Sequence, residues 1–153
     1  MTTREFDLTM TVAVRPETAI DYLMDLNRQR GLHPFLVSAD IIESGTTDAQ
    51  PWFLWRIHER PRLGRLTYSI RFTATMRRIS PTTMVGNVAA APGCTLVTRT
   101  DAQLIESEGR TRTVLHEITT VAAPRPVLGY MWRQAFAAHA RVYERLPTEM
   151  STL

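Results

Sequence analysis

The stretch PRPVLGYMWRQAFAAHARVYERLP, residues 124–147, decides how the rest of the chain is read. Two prolines open it and a third closes it, so a helix is expected over residues 127–146 with Pro147 as its stop. Leu128, Met131, Trp132, Ala135, Phe136, His139, Val142, Tyr143 and Leu146 recur at the helical period and form a broad apolar stripe that needs covering. Twenty residues at about 1.5 Å each span roughly 30 Å, enough to cross a whole sheet. The cover has to come from upstream.

Upstream of Pro124 the period is two. Residues 5–15 alternate Phe6, Leu8, Met10, Val12 and Val14 with mostly polar neighbours, the pattern of a strand with one buried face. Pro16 and Glu17 then open a helix that reaches about Leu26, with Ile20, Leu23 and Met24 on one side. NRQRGLHP, residues 27–34, reads as a second short helical turn, broken at Gly31 and closed before Pro34. Strands are expected at residues 35–44 and 52–60, separated by the loop SGTTDAQP, and RPRLGR turns the chain into the cleanest alternation of all. There Leu66, Tyr68, Ile70, Phe72, Ala74 and Met76 share one face of a strand over residues 66–77, nearly twice the usual length, and such a strand has to curl. Strands over 83–91, 94–105 and 110–123 follow, divided by PG and EG turns.

The order is strand, helix, short helix, six strands, long helix. It describes an α+β chain in which a curved seven-stranded antiparallel sheet wraps around the C-terminal helix, with two short helices between the first and second strands. No repeat or composition shift divides residues 1–153, so one domain is expected.

That order is carried by VAVRPETAIDYLMD (12–25), the LHP junction (32–34), the hairpin strands up to EGRTRTVLHEIT (108–119) and PRPVLGYMW (124–132). It resembles the START and polyketide-cyclase superfamily of helix-grip proteins, in its small bacterial cyclase/dehydrase-like branch, over nearly the whole chain. The resemblance implies a cavity between sheet and long helix that binds a hydrophobic small molecule, lipid-like or aromatic and polyketide-like, as a carrier or sensor would. It equally implies an alternative, because some members use such a cavity as polyketide cyclases or dehydrases with an acid-base residue inside. Relatives commonly carry a tryptophan before the proline where this chain has His33, which alters the packing expected at the cavity mouth.

Composition narrows the partners. A hydrophobic share of 44% and a charged share of 22% are those of a chain that folds around a core. All 18 basic residues are arginine, yet the net charge is only +3. Arg56, Arg60, Arg62, Arg65, Arg71, Arg77 and Arg78 cluster with Glu59 as the only acid among them, and strand alternation assigns most of them to a solvent face, so nucleic acid is not an expected partner. Cys94 is the only cysteine, which leaves no disulfide framework or thiolate zinc cluster and fits a reducing compartment. With neither a leader-like N-terminal run nor a stretch of about 18 apolar residues, the chain is read as cytoplasmic, without a membrane span. The glycines are scattered at turns and form no phosphate loop, so no cofactor is expected; a homodimer is compatible with the sequence.

Four histidines, His33, His58, His116 and His139, are the natural starting point for acid-base or metal chemistry. None stands at ligand spacing, and HEITT at 116–120 has Thr120 where a zinc helix needs its second histidine, so no metal is expected. His139 falls mid-stripe and should point at the core or cavity, where an imidazole needs a hydrogen-bond partner and desolvation favours its neutral form. With His139, the rings of Trp55, Tyr68, Phe72, Trp132, Phe136 and Tyr143 are the expected ligand contacts, core filling being their rival use. The last strand has two possible registers, one turning Thr113, Leu115, Glu117 and Thr119 inward and the other Arg112, Val114, His116 and Ile118. Solvent is the expected place for Glu117. Turned inward, it joins His139 as a candidate acid or base.

Overall fold

Each alternating segment of the sequence has one apolar face to hide, and in the computed structural model, which describes residues 1–153, seven of them hide it together. β1 (Thr2–Val12) runs into α1 (Pro16–Met24) and a 3-10 turn (Leu26–Gln29). Then come β2 (Leu36–Thr47), β3 (Gln50–Glu59), the two-residue strands β4 (Arg62–Leu63) and β5 (Leu66–Thr67), β6 (Ile70–Ser80), β7 (Thr83–Ala91), β8 (Cys94–Ser107) and β9 (Arg110–Ala123). α2 (Arg125–Met150) follows. The sheet is antiparallel throughout, in the order β1-β9-β8-β7-β6-β3-β2. Register shifts within β2, between Arg78 and Ser80, and between Ala89 and Ala91 add local bends and twist. The α+β helix-grip arrangement expected from the order of elements is the one the chain adopts.

The helices divide the concave side between them. α1 packs on β6, β7, β8 and β9, while α2 packs on β1 and β9. Arg78, at the end of β6, ties α1 down: its guanidinium pairs with Asp21 and donates to the Pro81 carbonyl at 2.7 Å. One apolar cluster joins Ile20, Leu23 and Met24 of α1 to Trp55, Leu115 and the C-terminal half of α2; a smaller one joins Phe6, Leu96, Val121 and Ala135.

Two expectations need correction. The long alternation over 66–77 is split, because Leu66 and Thr67 pair with Leu63 and Arg62 in a separate hairpin turned by Gly64 at φ +62°. Leu66 is therefore 72% exposed, and the inward face begins at Tyr68. Pro147 does not stop α2, which continues to Met150. Lacking an N–H, Pro147 forfeits one hydrogen bond within the last turn. Leu146 and Met150 are both fully buried, and that burial holds the extra turn in place.

The register of the last strand is resolved as well. Thr113, Leu115, Glu117, Thr119 and Val121 all point inward, and Ile118 is exposed. Thr113 fixes this phase by donating to the Val14 carbonyl at 2.5 Å. Glu117, expected in solvent, is therefore buried, because Leu115 and Val121 share its face and both need the core.

Candidate functional site

Between α2 and the inner faces of β3, β6, β7, β8 and β9 lies a cavity of about 190 Å³. Hydrophobic residues supply 20 of the 30 that line it, so its polar members are few and their positions matter. They fall into two groups.

The first group is built on β9 and α2. Glu117 Oε1 is paired with His139 Nδ1 and also accepts from Thr119 Oγ1 at 3.0 Å, and Thr119 is bonded to Thr98 at 2.9 Å. Burial alone would raise the Glu117 carboxyl, but the His139 charge and the hydrogen bonds from His139, Thr119 and Tyr143 hold it below its ordinary range. Burial would likewise lower His139, and the Glu117 carboxylate beside it raises it instead. The two therefore form an imidazolium–carboxylate pair. The Phe6 ring meets the His139 ring edge-on at 5.6 Å and fixes its plane. Burial first, and then the Glu117 charge, push the Tyr143 phenol well above its usual range, so its hydroxyl keeps its proton.

The second group gathers where β3, the LHP junction and the first turns of α2 meet. His33 Nδ1 accepts from the Phe35 N–H at 3.2 Å, so the proton sits on Nε2, which faces Glu59 Oε1 at 3.4 Å. Burial, helped by the positive His139, takes His33 down to about 3. Burial pushes Glu59 up to about 7 against the pull of the same imidazolium. Here the histidine is neutral and the carboxyl is close to half protonated at neutral pH, the reverse of the Glu117–His139 bias. Tyr68 and Tyr130 close this end with a hydroxyl-to-hydroxyl hydrogen bond.

Of the residues singled out in the sequence, Tyr68, Phe72, Glu117, His139 and Tyr143 come together on the cavity wall. Trp55, Trp132 and Phe136 do not, and each for a packing reason. Trp55 is 1% exposed inside the larger core cluster. Trp132 and Phe136 stack on each other at 5.3 Å on the β1 side of α2, edge-on to Phe6. Trp132 Nε1 donates to the Glu5 carbonyl at 3.0 Å, and the Arg4 guanidinium sits 3.8 Å over its ring. Sequence reasoning drew the α2 stripe on its largest apolar residues and so passed over Tyr130, Gln134 and Ala138, which line the cavity. Glu59 was also missed, although it continues the inward alternation of Trp55 and Ile57.

The curved antiparallel sheet, the long C-terminal helix and the cavity between them define the helix-grip fold of START and polyketide cyclase-like proteins. Among solved structures, the chain is similar to a START superfamily protein from Mycobacterium smegmatis, with 15% identity and a TM-score of 0.68 over 93% of this chain and 96% of that one. It is similar to the Zhui aromatase/cyclase from Streptomyces sp. R1128, with 16% identity and a TM-score of 0.65 over 99% of this chain and 93% of that one. It also matches the di-domain ARO/CYC StfQ from the steffimycin biosynthetic pathway, with 10% identity and a TM-score of 0.71 over 98% of this chain and 51% of that one. No protein-family model matches the sequence, and no curated protein matches it. At these identities the shared property is the fold. No helix is long and apolar enough to cross a membrane.

Proposed function

We propose that the protein holds a small hydrophobic molecule between its sheet and α2, as a carrier or sensor, and that the guest is aromatic rather than lipid-like. The observation that carries this reading is the cavity itself, apolar over most of its wall and about 190 Å³ in volume. An apolar void of about 150 Å³ already admits benzene, whereas drug-sized ligands occupy roughly 300–1,000 Å³. A one- or two-ring guest fits this space, and a long acyl chain or a four-ring polyketide needs α2 to move. The likeness of fold to an aromatase/cyclase supports an aromatic guest. The test is native mass spectrometry of the protein as purified and after equilibration with 2-naphthol. A one-to-one adduct is expected, with thermal stabilisation that grows with 2-naphthol concentration. Absence of both the adduct and the stabilisation overturns the proposal.

A second reading, a cyclase or dehydrase, is favoured by one observation: Glu59, about half ionised at neutral pH, and protonated His139 line the same cavity, one able to take a proton and the other to give one. In a dehydration, ionised Glu59 takes the proton α to a carbonyl, and the β-hydroxyl leaves as water with the proton of the His139 imidazolium. Proton return from Glu59 to His139 resets the pair. Incubation with 4-hydroxy-4-phenylbutan-2-one is the check, followed by the ultraviolet absorbance of the conjugated enone. Turnover that disappears in Glu59→Gln supports the reading, and no turnover above the buffer rate removes it while leaving the carrier intact.

A further inference from the structure

The chain carries 18 arginines and no lysine, yet no arginine is among the residues that line the cavity. The ionisable side chains of the wall are two carboxyls, Glu59 and Glu117, two histidines, His33 and His139, and the phenols of Tyr68, Tyr130 and Tyr143. Glu117 has its counter-charge, because His139 lies against it. Glu59 has none in contact. Its neighbour is His33, with Nε2 at 3.4 Å from Glu59 Oε1, and that imidazole is neutral by geometry: Nδ1 accepts the Phe35 N–H and so carries no proton. The positive His139 pulls on Glu59 from farther off, but its own contact is with Glu117.

Glu59 also presents surface to a guest. It lines the cavity, and 16% of its side chain is exposed. A carboxyl taken out of water without a counter-charge either holds a proton or meets a cation. Burial brings Glu59 to about 7, so at neutral pH it holds the proton about half of the time. No side chain of the protein replaces that proton with a permanent charge.

The surroundings define the cation that would. No group of three or more metal-ligating side chains forms, so a metal ion does not meet its needs here. Across the β3–β6 pairing, Ile70 stands opposite Glu59 and Phe72 opposite Ile57, and Tyr68 and Pro61 complete an apolar and aromatic collar. A primary ammonium needs one carboxylate and is attracted to ring faces on its other sides. Its apolar body then occupies the rest of the cavity. Resting on the cavity-binding reading above, we propose that the guest is an arylalkylamine, with its ring in the apolar part of the cavity and its protonated amino group paired with the Glu59 carboxylate. The amino group stands on a saturated carbon, because an amine bonded directly to a ring is uncharged at neutral pH. Docking is an exchange, in which the proton held by Glu59 leaves to solvent as the ammonium arrives.

Calorimetric titration of the full chain with 2-naphthylmethylamine, 2-naphthylmethanol and 2-naphthoate, at pH 6 and 7 in buffers of different ionisation enthalpy, tests this. At pH 7 the amine should bind about tenfold tighter than the alcohol, and the carboxylate more weakly than either. Amine binding should release about half a proton at pH 7 and nearly a whole one at pH 6, where its affinity is about fivefold lower. The alcohol should show no release. In Glu59→Gln the amine and the alcohol should bind within about twofold of each other, without proton release. Wild-type protein that binds the amine no tighter than the alcohol, or binds it without releasing a proton, overturns the inference and leaves cavity binding standing. An amine preference that survives in Glu59→Gln overturns it as well. Failure of all three probes to bind overturns both the inference and the reading beneath it.

Discussion

His139 Nδ1 and Glu117 Oε1 form the ion pair that joins α2 to β9, and both side chains lie on the wall of the cavity. Their side chains are 24% and 7% exposed, so the pair works mostly out of water. Each ionised form depends on the other, because burial alone drives both toward neutrality. The chain thus keeps a charged pair inside an otherwise apolar wall, and its pH dependence is a direct probe of it.

Glu117→Gln should cost about 3 kcal/mol at pH 6, as expected when a buried charge loses its partner. The folded-state value of Glu117 is lowered, so its contribution is present above an unfolded value near 4.3 and is lost as pH falls through the lower folded one. That of His139 is raised, so its contribution is complete below roughly 6.5 and is lost as pH rises through the folded value. The stability gap between wild type and variant should therefore be widest at about pH 5–6 and narrow on both sides. Urea unfolding across that range checks it, and a gap independent of pH removes the ion pair as its cause.

Glu59 has the opposite sign. Burial raises its carboxyl to about 7, so folding is favoured while it is protonated, and stability is lost as pH rises from the unfolded value near 4.3 to the folded one. Glu59→Gln keeps an acceptor facing His33 Nε2 and removes the titration. The variant should match wild type most nearly at pH 4.5 and exceed it by about 3 kcal/mol at pH 8. Urea midpoints at the two pH values decide the matter; a variant less stable than wild type at pH 8 contradicts the assignment.

The sheet was legible because alternation is a local property, repeated over seven segments and punctuated by PG, EG and Pro signals. The rotation of α2 was not legible. A stripe of large apolar residues is consistent with several angles about the helix axis, and the angle is set by partners distant in sequence. Phe6 on β1 takes Trp132 and Phe136, and this turns Tyr130, Gln134 and Ala138 to the cavity. The inward turn of Glu117 was equally hidden, since a carboxylate reads as solvent-facing until its histidine partner is known.

Trp132 makes that distinction measurable. It fills the seam between α2 and β1, donating to the Glu5 carbonyl at 3.0 Å beneath the Arg4 guanidinium, and does not touch the cavity. Trp132→Ala should lower stability by about 2 kcal/mol, the loss expected for a half-buried ring with a cation above it. The affinity for 2-naphthol should stay within about twofold of wild type, since less than 0.5 kcal/mol separates them on the binding scale. A large loss of affinity in folded Trp132→Ala protein would place the indole back in the site.

The turn between β2 and β3 leaves strain that one substitution should relieve. Thr47 pairs with Gln50, and the two residues between them, Asp48 and Ala49, have φ of 51° and 63°. A two-residue hairpin of this hand needs left-handed geometry at both positions. Aspartate tolerates it through local hydrogen bonding, but alanine has a Cβ and nothing to offset it. The turn between β8 and β9 meets the same requirement with Gly109, at φ 71°, in the equivalent place. Ala49→Gly should therefore stabilise the protein by up to about 1 kcal/mol after the extra freedom of glycine in the unfolded chain is counted. For a chain of this size that corresponds to roughly 2–4 °C in the midpoint of thermal unfolding. Ala49 is exposed and does not line the cavity, so 2-naphthol binding should not change. A lower midpoint in Ala49→Gly would mean that the unfolded-state cost of glycine outweighs the relief of left-handed geometry at this turn.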